Sequence, residues 1–151
     1  MTTTPNFPTN PTRLEGDAPQ AIAIGLRFVS AERGVALAVL PWRADLVGDA
    51  ASGAMSGGAI VTALDHVGGS ATFSALAASG ASDIAGIATL DLRIDHVRPS
   101  RRGETLTARA HCHRVTETVT FVRAAAFETD ESDPVATMQA AFAVNRAPAA
   151  A

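Results

Sequence analysis

The sequence predicts an α+β fold in which an antiparallel sheet of about six strands wraps around one long central helix. Three observations predict it. One helix-length stretch, residues 57–78, stands between two short strand-like runs and four longer ones. The strands are joined by hairpin-length connections, which suit antiparallel pairing, because parallel strands need crossovers of a dozen or more residues. A helix with an apolar surface must bury it, and this sheet is the only partner the chain offers.

The elements follow in order. Residues 1–19 hold Thr, Asn and four of the eight prolines, the composition of a flexible N-terminal arm. Residues 20–147 form the single domain. A short helix is expected over 20–26. Residues 26–32 and 34–43 form a hairpin turned at Glu32-Arg33-Gly34, and 44–56 are a Gly/Ala/Ser loop. The long helix over 57–78 stops near Ser79-Gly80. Strands are then expected over 86–97, 104–115, 119–128 and 135–145. Arg101-Arg102-Gly103 and Asp130-Glu131-Ser132-Asp133-Pro134 mark two of the turns. Alternation places Ala88, Leu90, Leu92 and Ile94 on one face of the first of these strands. Leu106, Ala108, Ala110 and Cys112 share a face in the second, and Ala136, Met138, Ala140, Phe142 and Val144 in the last. Gly68, Gly69, Ala71 and Ala75 let the helix approach the sheet closely.

Bulk properties narrow the function classes. The 151 residues favour one domain, and a 47% hydrophobic content is enough for a real core. The net charge is −3 and every basic residue is Arg, so no basic footprint argues for nucleic acid. The lone Cys112 excludes an internal disulfide framework and fits a reducing cytoplasm. Residues 1–13 lack the apolar segment of a signal peptide, and no run of about 18 apolar residues predicts a membrane span.

The chemistry concentrates in Ser56-Gly57-Gly58-Ala59-Ile60-Val61-Thr62-Ala63-Leu64-Asp65 and in Thr89-Leu90-Asp91-Leu92-Arg93-Ile94-Asp95-His96-Val97-Arg98-Pro99. Two glycines open the helix, whose first N–H groups are unpaired and carry partial positive charge. That end can hold a developing oxyanion, and a carboxylate among small apolar residues can act as base or nucleophile. Gly58, Val61, Asp65, Gly69 and Thr72 fall on one side of the helix at three- to four-residue spacing, which keeps Asp65 off a solvated face. The pattern points to acyl transfer.

These motifs resemble the hotdog-fold acyl-CoA thioesterases of the PaaI-like, phenylacetate-degradation type, over residues 20 to 145. The family pattern is His-Gly-Gly, an acid eight residues after the first Gly, then a strand Ser/Thr-x-Asp-hydrophobic-x-hydrophobic closing on Arg/Ser-Pro. Here it reads Gly57-Gly58, Asp65, Thr89-Leu90-Asp91-Leu92-Arg93-Ile94 and Arg98-Pro99. The resemblance implies hydrolysis of an acyl-CoA thioester. Asp65 would be general base or nucleophile, the Gly57 N–H would be the oxyanion donor, and Thr89 would orient water or carboxylate. It also implies a homodimer or a dimer of dimers with sites shared between subunits, with coenzyme A present only as part of the substrate and no cofactor or metal. Ser56 and Gly58 join the expected substrate-binding set. So do Arg98, Arg101 and Arg102, whose guanidinium forks suit the phosphates of coenzyme A.

Two positions depart from the pattern. The family His before Gly-Gly is Ser56, a residue suited to capping the helix. The family Asn seven residues before the first Gly falls at Ala50, beside Asp49. A catalytically weak acyl-CoA or small-ligand binding protein on the same fold is therefore the alternative. A dehydratase would need a catalytic His in the helix, where only His66 is on offer. His111 and His113 share a strand face at metal-ligand spacing, but no acid or Cys completes a set. Strand parity puts Thr89 opposite Leu90 and Leu92, so a bulge or a neighbouring subunit has to bring it to the site. Asp65 and Gly57 lie eight residues apart, about 12 Å along the axis at 1.5 Å per residue. One helix can hardly present both to the same carbonyl.

Overall fold

The computed structural model describes residues 18–148; most of the expected N-terminal arm lies outside them. Helix α1 (Pro19–Ile24) starts with Pro at its first position, where the ring costs no hydrogen bond, and ends on Gly25 with φ 74°. It leads into β1 (Arg27–Glu32) and β2 (Val35–Leu40). Glu32 pairs with Val35 across Arg33-Gly34, whose φ values are 48° and 83°. Two consecutive left-handed residues make the tight hairpin turn whose twist matches the strands.

Residues 44–56, expected as a loop, are more ordered than that. They hold a 3-10 turn (Ala44–Leu46) and a small hairpin of β3 (Val47–Asp49) and β4 (Ala54–Met55). Strands of two or three residues are too short to show an alternating pattern in a Gly/Ala/Ser sequence. Helix α2 (Gly57–Ala78) follows with the expected bounds. Then come β5 (Ile84–His96), β6 (Leu106–Val115), β7 (Val119–Phe127) and β8 (Ala136–Arg146).

Six strands form one antiparallel sheet in the order β1-β2-β6-β7-β8-β5. Helix α2 lies across one face and touches all six. The inward faces expected of β6 and β8 are buried as sets, and Ala36, Ala38, Leu40, Thr120, Val122, Ala124 and Ala126 complete the layer. Small residues set the helix-to-sheet distance. A Cβ on Gly68 would come within 2.9 Å of Met138 Cε and 3.1 Å of Phe142 Cζ. Buried polar contacts cross the layer: the hydroxyls of Thr72 and Thr120 lie 3.0 Å apart, and the Gly34 N–H donates to the Ser74 hydroxyl at 2.9 Å.

Strand β5 departs from its expected parity. Its register against β8 slips between Thr89 and Asp91, with Thr89 opposite Phe142 and Asp91 opposite Ala141. Leu90 is the extra residue of this bulge and is 60% exposed, so it does not share a face with Leu92 and Ile94. Inserting one residue inverts the parity on one side of it. Thr89 therefore faces α2, as do Leu92 and Ile94 beyond the bulge, opposite the buried Ala140 and Met138.

Candidate active site

The bulge brings together Thr89 and Asp65. The Thr89 hydroxyl donates to Asp65 Oδ1 at 2.9 Å, from strand to mid-helix. Asp65 is half-buried on α2, between the buried Leu64 and the buried Val67 and Gly68, as its setting among small residues predicts. Thr89 occupies one carboxylate oxygen and leaves Oδ2 for another donor. Of the other residues on that side of α2, Gly69 and Thr72 are buried and Gly58 is exposed.

The second cluster sits at the N-terminus of α2. Ser56 is the cap: its side-chain oxygen accepts the Ala59 N–H at 3.3 Å, with Ser56 extended at φ −61° and ψ 142°. Among the described residues the amides of Gly57 and Gly58 have no acceptor, so two unpaired N–H groups remain at the positive end of the helix dipole. A pocket of about 430 Å³ opens there, lined by Met55, Gly57, Ile60, His96 and the segment 97–100. The approach to it is fixed from outside the helix, since the buried Ser100 hydroxyl accepts the Met55 N–H at 2.9 Å. A Cβ on Gly57 would lie 3.2 Å from both Cε1 and Nε2 of His96, whereas one on Gly58 would meet nothing within 4 Å. Neither Asp65 nor Thr89 lines this pocket.

The expected arginines divide. Arg98 is committed within the chain and does not reach outward. Nε donates to Asp133 Oδ1 at 3.0 Å, Nη1 to Pro99 O and Glu128 Oε1, and Nη2 to Glu128 Oε2 and to Asp133 O. Those bonds use its five donors. The Glu128 side chain is only 1% exposed. Burial pushes its carboxyl up, but the Arg98 fork and the Arg101 amide outweigh that and hold it below the usual carboxylate range. Arg98 in turn is held above its ordinary value, first by Glu128. Arg102 donates to the carbonyls of Ala50 and Ala51. Arg101 keeps a 61% exposed side chain, 3.9 Å from Glu128.

The remaining candidates have local roles. Asp49, beside the Ala50 that replaces the family Asn, is turned inward on its own loop. It accepts from the Ser52 hydroxyl and from the Ala51 and Ser52 amides, which hold its carboxyl below the usual value. His111 and His113 lie with ring centroids 6.5 Å apart. Burial, and then the charge of Arg123, lowers His113. Burial likewise raises the Cys112 thiol.

Sequence reasoning missed His96, Ser100 and Glu128. His96 had a signal: two-residue spacing from Leu92 and Ile94 puts it on their face, and it pairs with the buried Ala136. Ser100 and Glu128 act across 45 and 27 residues of chain and leave no local trace.

The comparisons fit this geometry. The thioesterase superfamily matches residues 52–135, more than half of the chain. A search of curated proteins finds no match. Among solved structures, a Pseudomonas aeruginosa protein is 31% identical with a TM-score of 0.75, over 88% of this chain and 95% of its own. Two others are alike in fold. The Escherichia coli PaaI protein of the phenylacetic acid degradation operon has a TM-score of 0.72 at 16% identity, over 88% of each chain. A Streptococcus mutans protein solved bound to acetyl-CoA has a TM-score of 0.69 at 20% identity, over 82% of this chain and 90% of its own. With a helix wrapped by a six-stranded antiparallel sheet and the superfamily matched from before α2 to the end of the β7–β8 turn, the chain belongs to the thioesterase superfamily and has its hotdog fold.

Proposed function

We propose that this protein hydrolyses acyl-CoA thioesters, with Asp65 as the base. The observation that carries the reading is the 2.9 Å hydrogen bond from Thr89 to Asp65 Oδ1. It fixes a half-buried carboxylate with one oxygen free, as a general base requires. In the proposed reaction Oδ2 takes a proton from water as the water oxygen bonds to the acyl carbon. The charge that develops on the carbonyl oxygen is met by the Gly57 N–H. The C–S bond then breaks, the thiolate of coenzyme A leaves with the electron pair, and the free acid remains. A direct attack by Asp65, through an acyl-carboxylate intermediate that water then opens, uses the same residues.

Each site would be shared by two copies. The Gly57 pocket excludes Asp65 of its own chain, and about 12 Å of helix axis separates the two. A second copy related by a two-fold axis can supply the missing half. Strand β5 forms one edge of the sheet, and Leu90 and Val97 on it and just past it are 60% and 58% exposed, which supports a covered edge. Arg101 and Arg102 remain the arginines proposed for the phosphates of coenzyme A; Arg98 drops out. The acetyl-CoA held by the Streptococcus mutans protein and the likeness to PaaI support the substrate class.

A second reading, acyl-CoA binding without turnover, is favoured by Ser56 and Asp49. Both spend their side chains on local backbone where the family keeps polar groups for the substrate. The test of both readings is thiol release across short, long and aromatic acyl-CoAs. Asp65→Asn should lower kcat by roughly 10²–10⁴-fold, the usual worth of a general base. A variant that keeps more than half of wild-type turnover overturns the assignment. Tight binding with no thiol release by the wild type establishes the binding protein.

A further inference from the structure

We propose that His96 is a second hydrogen-bond donor to the thioester carbonyl, standing beside the Gly57 amide; the inference rests on the thioesterase reading above. Three observations carry it. The ring presents its Cε1–Nε2 edge to Gly57, at 3.2 Å from the position a Cβ would take, with Nδ1 farther off at 4.0 Å. His96 lines the same pocket as Gly57. Among the described residues no group forms a hydrogen bond with either ring nitrogen, and the ring is exposed, so no structural role consumes it.

The chemistry follows from the acceptor. A carbonyl oxygen has two lone pairs, and a donor satisfies one of them at about 2.9 Å. The Gly57 N–H takes one, and an Nε2–H of the ring can take the other from the flank of the helix. Both grow stronger as the oxygen gains charge, which stabilises the transition state more than the bound thioester. The family pattern keeps a histidine immediately before Gly-Gly, and this chain has Ser56 there, committed to the cap. His96 brings an imidazole to the same helix end from the end of β5, through the fold and not through the local sequence. The absence of a side chain at residue 57 leaves the ring its place: a methyl there would press on Cε1 and Nε2.

The test compares His96→Phe, which keeps a flat ring without donors, with His96→Gln, whose amide N–H reaches about as far as Nε2. His96→Phe should lower kcat by about 10²-fold, the lower range for loss of one oxyanion donor, with KM little changed. His96→Gln should recover most of that loss. A second readout uses acyl-CoA with a labelled carbonyl bound to Asp65→Asn. Its carbonyl stretch should move to higher frequency when His96→Phe is added and return with His96→Gln. Wild-type kcat in His96→Phe overturns the proposal, as does an equal loss in both variants with no change in the stretch, which marks the ring as a wall. The two readings separate cleanly. If Asp65→Asn is inactive and His96→Phe is unaffected, only the role of His96 fails. If the wild type releases no thiol, the thioesterase reading fails and this one with it.

Discussion

Thr89 shows how much one hydroxyl can decide. Its hydrogen bond fixes which oxygen of Asp65 is spoken for and, in the proposed reaction, which one takes a proton from water. Thr89→Val keeps the β-branched shape that suits a strand and deletes the donor. A hydrogen bond to a charged group is worth about 1.5–3 kcal/mol, so kcat should fall roughly 10- to 100-fold. Thr89→Ser should stay near wild type. Steady-state kinetics of the two variants check this, and equal rates for Val and wild type would remove Thr89 from the machinery. At this scale the sequence was informative where spacing and residue type coincide. Gly57, Asp65 and Thr89 stood out in their motifs, and Ser56 read as a cap. His96 did not stand out, because its meaning comes from contact with a glycine 39 positions earlier that only the folded chain creates.

The elements are held in register for the site by a bracket at the end of β5. Arg98 ties the segment after β5 to Glu128, just past β7, and to Asp133 in the β7–β8 turn. Arg101 adds its amide to Glu128, and Ser100 holds Met55 just ahead of α2. Glu128→Ala should destabilise the fold by about 3 kcal/mol. That is the low end for breaking a buried pair, because Asp133 still holds one side of Arg98. The pH dependence has a definite sign. Glu128 is held below its ordinary value when folded, so its contribution is complete above the unfolded value of about 4.3 and is lost as pH falls through the folded one. Denaturant melts of wild type and Glu128→Ala should therefore converge as the pH drops below about 4.3; curves that stay parallel there would refute the linkage. Helix α2 and the buried faces of β6 and β8 were legible, because long periodic runs carry their own signal. The β3–β4 hairpin was not, being too short for any period. The bulge near Thr89 was legible only as one of two ways to bring that residue to the site, and its place at Leu90 was not. Ala88, Leu90, Leu92 and Ile94 alternate without a break in sequence, and the extra residue is visible only in the pairing with β8.

In the whole molecule, one chain would carry two half-sites, and catalysis would join halves from different chains. The hotdog fold was legible from the element order, the hairpin-length connections and the one helix that needs a partner. So was the separation of Gly57 from Asp65, since helical rise is fixed. The pocket at the helix N-terminus, with Gly57 and His96 but without Asp65, agrees with that separation. Mixing two inactive variants tests whether the halves come from different chains. Gly57→Pro removes one N–H at a position where helices accept proline, after a Ser56 already in the extended conformation that precedes proline. Asp65→Asn removes the base. Each variant alone should be nearly inactive. After verified subunit exchange at equal amounts, half of the dimers are mixed, and one of their two sites combines an intact Gly57 with an intact Asp65. About a quarter of wild-type activity should return. If nothing returns, the donor and the base do not come from different chains, and the shared-site account is wrong.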